Sequence, residues 1–437
     1  MKRLYYVIML AIVLAISGCA NEGPPMPVNV DESAPTNPHR VTVNEAVQIA
    51  NSMLADIGDV KTRSYRQVEE VSVIRGKIST RSSQEENDTV LYIINYANNE
   101  GFAIVSADKR AIPVYALSDT GSFQITEDSN PAIEAMLSYA VESAKYNIQV
   151  AGFGPLPFEP IDPPVDSIKW YDAEPHKKIA PMLSKRQNRM GPYDKALSKY
   201  VVNDKGELAL TCCAAIATEL IMSYYAWPEK LGAYTFDWTS MNRGNNDDGI
   251  ARLLGIISGR DYLHVYGNDS THIGAANLSN IRPTFEKCGY EKPDEFINFY
   301  ANEQKAIDDL ENGPLFLYGA SGTAEYSTGH VWAVDGLLQY YRGDGTVTDE
   351  SGIPIHNVKL YTYYHCVWGD SGTCNGYYLV ADHDFNGAPD IIDAIDSGDV
   401  SSAIYRNYSK DIRFMSNFKP VGKTITPPFP PIPYQPQ

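Results

Sequence analysis

An α+β fold is what this sequence predicts, on three observations. The larger part of the chain opens with helical periodicity around a pair of cysteines and closes with short apolar strands, an order that suits an α+β domain better than alternating βαβ units. A chain of 437 residues has room for two or three domains with sizeable cores. The stretch 155–164 holds five prolines in ten residues, which suits neither helix nor central strand and divides the chain in two. With 43% hydrophobic and 21% charged residues the composition is that of a globular protein. The net charge of −18 argues against nucleic acid as a partner, because that affinity rests on clustered Lys and Arg.

The chain begins Met1-Lys2-Arg3, continues as an apolar run from Leu4 to Ile16, and reaches Ser17-Gly18-Cys19. A basic start, an apolar core too short to cross a bilayer and a small-residue end are the marks of a secretory signal. Ile16-Ser17-Gly18-Cys19 resembles the bacterial lipobox, so Cys19 is the expected lipidation site and the mature chain an exported cell-envelope lipoprotein. Residues 1–18 then form the signal peptide, and the Pro-rich stretch 19–40 a tether to the membrane.

Thr42-Val43-Asn44-Glu45 has capping-box spacing, and Ala46, Val47, Ile49, Ala50, Met53 and Leu54 follow at helical intervals, for a helix of about three turns. After a polar stretch, the runs Val90–Tyr96, Phe102–Val105 and Val114–Leu117 are separated by turn residues and predict a small antiparallel sheet. Helical spacing returns from Pro131 to Ala144 and completes a first unit at 41–154, followed by a Pro-rich linker at 155–166. The second unit, 167–420, closes with strands at Leu315–Tyr318, Val331–Leu338, Val358–Tyr364 and Tyr377–Ala381. A Pro-rich tail occupies 421–437.

Of six cysteines, lipidation of Cys19 leaves Cys212, Cys213, Cys288, Cys366 and Cys374. An odd number leaves at least one thiol free even in an oxidising compartment, and a free thiol in an exported protein invites a search for a nucleophile. Good helix formers begin just after Thr211, which places Cys213 in the first turn of a helix, where the partial positive charge favours thiolate. His330 stands later in the chain at the start of an apolar strand, as a general base to such a thiol would. On spacing alone this is one pairing among several.

The same residues carry a family resemblance. The segment TCCAAIATELIMSYYAWP, Thr211 to Pro228, resembles the nucleophile helix of the streptopain-like cysteine peptidases, and GHVWAVDG, Gly329 to Gly336, resembles their histidine strand. His365-Cys366-Val367-Trp368-Gly369 with Asn375-Gly376-Tyr377-Tyr378 resembles their Trp-containing loop. Pro181-Met182-Leu183 with Pro192-Tyr193-Asp194 resembles the opening of their catalytic domain. Gly101 to Asp108 with Pro113-Val114-Tyr115 is similar to their inhibitory propeptide. The resemblance spans roughly 42–420 and implies a papain-like catalytic domain behind a small α+β propeptide domain.

It further implies a cysteine endopeptidase made as a zymogen, acting on proteins or peptides without a cofactor and inhibited by its own propeptide. Cys213 aligns with the nucleophile, His330 with the general base, and Trp368 with the tryptophan that shields the histidine. The chain departs from the pattern at Cys212 for Gly, Val367 for Asn and Asp370 for the second Trp, and Arg189 stands where a Gln is common. Val367 favours a rival reading, a catalytically impaired relative that binds at the surface. It also predicts that a nearby group such as Asp370 orients His330 in its stead, and that Val367→Asn raises kcat.

Asp382 to Asp393 spaces oxygen ligands as a calcium loop does, although it follows a strand rather than a helix and has no paired loop. A structural calcium ion is the only metal the sequence suggests. His365 and His383 lack the spacing of a zinc site.

Overall fold

A computed structural model describes residues 39–57, 66–80, 83–124, 131–152, 175–183, 212–244, 246–267, 274–321, 328–348, 354–369, 374–379 and 411–423. The signal segment with Cys19, the Pro-rich linker, Asp370, the calcium-like segment and most of the tail lie outside the described residues. Among the described residues no helix is long and apolar enough to cross a membrane, and no group of three or more His, Cys, Asp or Glu is placed to hold a metal ion.

Helix α1 (Val43–Ile57) starts as its sequence demands. The Thr42 backbone N–H donates to Glu45 Oε2 at 2.7 Å and the Glu45 N–H to Thr42 Oγ1 at 3.3 Å, which closes the capping box. Ala46, Ala50, Met53 and Leu54 form its buried stripe. Strands β1 (Val68–Thr80), β2 (Ser83–Tyr96), β3 (Phe102–Ser106) and β4 (Val114–Ser118) follow as an antiparallel meander. Strand β1 occupies the stretch whose polarity predicts no strand. It is the outermost strand of the sheet and buries Val71 while Glu69, Glu70 and Arg75 stay in solvent, so an edge position hides the usual apolar alternation. Helix α2 (Pro131–Gly152) packs on β1 and β2 and runs past Ala144, since Ile148 continues its buried face.

The second part begins with β5 (Lys177–Ile179) and α3 (Cys213–Tyr225). Two short hairpins, β6 (Lys230–Leu231) with β7 (Tyr234–Thr235) and β8 (Tyr266–Gly267) with β9 (Gly274–Ala275), are interleaved with α4 (Trp238–Asn242) and α5 (Asp247–Ser258). Then come α6 (Ile281–Lys287), β10 (Ile297–Asn298) and α7 (Glu303–Leu310). The chain closes with β11 (Leu315–Ser321), β12 (Thr328–Thr348), β13 (Pro354–Val367), β14 (Gly376–Leu379) and β15 (Asp411–Met415).

The two sheets expected from the sequence are one. Strand order is β1-β2-β3-β4-β14-β13-β12-β11-β15-β10, with β5 also against β12. The join is an antiparallel pairing of β4 with β14, Leu117 facing Tyr377 and Ala116 facing Tyr378. Further hydrogen bonds seal it. Tyr363 Oη donates to the Val114 carbonyl at 2.9 Å, the Cys374 N–H to the Ser122 carbonyl at 3.2 Å, and Tyr340 Oη to Asp56 at 3.3 Å. Two cores lie on either side of β12. Alternation sends Val331 and Ala333 into a helical core with α3 and sends Trp332 and Val334 into the core that α1, α2 and the first four strands share.

Candidate active site

Helix α3 packs against β11, β12, α5 and α6, and its residues from Ala214 to Ser223 are all buried. A helix that is mostly apolar belongs in an interior, which is where this one lies, with Thr218, Glu219 and Ser223 buried among its apolar residues. Cys212 is its N-cap, in extended conformation (φ −79°, ψ 152°), and Cys213 is its first helical residue. The two adjacent thiols lie in different surroundings. Cys212 is fully buried and burial pushes its thiol up to about 12. Cys213 is half-buried and sits beside the backbone N–H groups that a helix start leaves without intrahelical partners. At the other end of α3, Lys423 Nζ donates to the carbonyls of Tyr225 and Ala226 at 3.0 and 2.9 Å, closing the negative end of the helix.

His330 lies at the start of β12, opposite Gly319 of β11, and is 5% exposed. Its ring is stacked on Trp332, with centroids 6.3 Å apart and planes 11° from parallel. Trp332 in turn packs on Trp368 at 5.3 Å, and Trp368 meets the edge of Tyr378 at 5.2 Å. The Trp368 backbone N–H donates to Asn375 Oδ1 at 3.0 Å. Trp332 is the ring stacked on His330, with Trp368 behind it, and sequence reasoning passed over Trp332 because an aromatic in an apolar strand reads as core. The stack continues through Tyr378 to Phe102 at 6.4 Å, in the strand preceding β4.

Position 367 departs from the expectation placed on it. Val367 faces Ala333 across the β12–β13 ladder, is 1% exposed and belongs to the helical core. His330 and Trp332 alternate to the other face of β12 from Ala333. An asparagine at 367 would therefore project into the apolar core and not toward the imidazole, so the expected gain in kcat from Val367→Asn does not follow from this geometry. Val331, Ala333 and Val367, the chain neighbours of His330, Trp332 and Trp368, share a core with Ala214, Ala215 and Ile216 of α3, while Trp332 and Trp368 lie in the other core.

Comparison with known proteins finds similar chains. Residues 38–143 match the model of the Spi protease inhibitor family. Streptopain of Streptococcus pyogenes is 25% identical over 329 residues, covering 66% of this chain and 73% of that protein. The thiol protease/hemagglutinin PrtT of Porphyromonas gingivalis is 25% identical over 336 residues, covering 68% of this chain and 34% of that one. A solved fragment of prointerpain A from Prevotella intermedia is 16% identical, covers 79% of this chain and 98% of its own, and superposes with a TM-score of 0.44.

Proposed function

Because this chain is a streptopain-like cysteine peptidase preceded by an inhibitory propeptide domain, we propose that Cys213 and His330 are its catalytic dyad and that it is an endopeptidase of exported proteins or peptides. The observation that carries the dyad is the unequal burial of the two adjacent thiols at the start of α3, one fully buried and one half-buried at the helix N-terminus. In the proposed reaction the Cys213 thiolate attacks the scissile carbonyl carbon. His330, having taken the thiol proton, returns it to the leaving amine, and water then releases the acyl group from sulfur. No cofactor takes part. Trp332 and Trp368 hold the imidazole plane by packing.

The propeptide domain occupies 41–154 and the catalytic domain 167–420, and a cut between Gly152 and Lys169 releases activity, since a stretch with five prolines in ten residues suits neither helix nor central strand. Cys19 carries the lipid that holds the zymogen to the cell envelope. The test of the dyad is labelling of the linker-cut protein with an epoxide inactivator of thiol proteases, followed by peptide mapping. An adduct on Cys213 and loss of casein hydrolysis in Cys213→Ala are expected; wild-type turnover in Cys213→Ala would overturn the assignment.

A further inference from the structure

A buried carboxylate lies in the same strand as His330. Asp335 is 0% exposed, and it is the extra residue of a β-bulge: Val334 faces Cys366 and Gly336 faces His365, leaving Asp335 unpaired in the ladder. The bulge turns its side chain out of the alternation of the strand. Asp335 Oδ1 lies 2.5 Å from His365 Nδ1, while Oδ2 accepts the backbone N–H of Met182 at 2.9 Å and of Leu183 at 2.6 Å. A carboxylate only accepts, so Nδ1 of His365 carries the proton. Tyr377 meets the His365 ring at 5.0 Å and 67°, fixing its plane.

The segment held in this way crosses between the two cores. It leaves β5, where Ile179 faces Leu337 of β12, and passes so close to Gly336 that a Cβ there would stand 3.0 Å from the Ile179 carbonyl oxygen. Met182 packs on the core beneath the first four strands, and Leu183 is buried in the helical core with Cys212, Ala214 and Ala215. An apolar residue would fill the Asp335 site at lower cost, because a buried carboxylate must be desolvated and then fully hydrogen-bonded. What the carboxylate adds is direction: it fixes one strap against the strand of His330 at one end and against the helix of Cys213 at the other.

We propose that Asp335 and His365 form a clasp that positions the strap 179–183, and through it sets the separation of the Cys213 helix from the His330 strand in the working enzyme. The proposal rests on Cys213 and His330 being the dyad. Neither clasp residue touches the reacting atoms; both are positioning residues. The removal variant is His365→Phe, which keeps a ring against Tyr377 and deletes the donor. The conservative variant is His365→Gln, whose amide N–H can still reach the carboxylate. Asp335→Asn serves as a second perturbation from the other partner.

The experiment uses the full chain cut in its linker. For His365→Phe, kcat on a peptide substrate and the iodoacetamide alkylation rate of Cys213 at about pH 6 are each expected to fall about 10-fold with KM within about twofold, since a small misplacement of a reacting pair acts on the chemical step. His365→Gln should recover most of both rates. The amides of Met182 and Leu183 should exchange hydrogen faster in His365→Phe and Asp335→Asn alike. A His365→Phe enzyme with unchanged kcat and alkylation, whatever its melting temperature, overturns the positioning role. A wild-type enzyme with neither turnover nor an adduct at Cys213 overturns the dyad instead, and unchanged exchange at 182–183 overturns the clasp independently of activity.

Discussion

Replacing Gly376 with alanine should unlock the zymogen without harming the enzyme. Gly376 opens β14, is buried, and pairs with Cys366 of β13. A Cβ built there would stand 2.8 Å from the Leu117 carbonyl oxygen, 2.9 Å from Ser118 Cβ and 3.2 Å from Phe102 Cζ. All three atoms belong to the propeptide side of the sheet, and two of them, on β4, have no flexible side chain that could swing away. Overpacking of this kind costs about 1–3 kcal/mol, which loosens docking by about 5- to 150-fold at room temperature. Once the propeptide has left, the obstructing atoms are gone. Basal hydrolysis of a fluorogenic peptide by uncut full-length Gly376→Ala should therefore exceed that of uncut wild type by a factor in that range, up to the ceiling set by the freed enzyme. The linker-cut, propeptide-free forms of both should have the same kcat/KM. Equal basal rates and equal melting temperatures of the two uncut proteins would show that the β4–β14 edge does not hold the zymogen.

Three other outcomes follow from the geometry. Val367→Asn should lower stability by about 1–3 kcal/mol, because it buries an amide among apolar groups, and should leave kcat no higher; a faster enzyme would mean that position 367 reaches the imidazole after all. Lys423→Met removes the cation that bonds the carbonyls of Tyr225 and Ala226 and lies 5.6 Å over Trp227, so the urea midpoint should drop by an amount worth about 1–2 kcal/mol, and an unchanged midpoint would refute the cap. Burial pushes the Cys212 and Cys288 thiols up to about 12 from an ordinary value of 9.0. Unfolding therefore releases protons above about pH 9, and stability that is complete below that pH should decline as pH rises toward 12; equal urea midpoints at about pH 8 and about pH 11 would contradict this.

Much of the local structure was legible in the linear order of residues. Thr42 and Glu45 announced their capping box, the run after Thr211 announced a helix beginning at Cys213, and the turn residues at 98–101 separated β2 from β3 while those at 119–121 ended β4, because caps, turns and periodicity act between neighbours in the chain. The same order of residues picked out Cys213 and His330 and carried the likeness to the streptopain-like peptidases. Where edges meet and which way side chains face were settled only by long-range pairing. Nothing local in β1 marks it as the outer strand of a sheet, and nothing local in Gly376 tells that Leu117 of a distant strand comes to lie against it. Val367 was read by its place in a motif, but its face is set by the ladder opposite Ala333, which turns it into the helical core. Asp335 looked like one polar residue in an apolar strand; a single extra residue in β12 relative to β13 aims it at His365 and the strap. The sequence by itself marked α1, α2, the start of α3 and the strands β2–β4 and β11–β14, and it pointed to Cys213 and His330 as the proposed reacting pair, since those signals act between neighbours in the chain. The tertiary structure alone decided how the propeptide strands join the catalytic sheet and which buried groups hold the site, since hydrogen bonds between strand edges and contacts across a core depend on chain segments that approach only when folded.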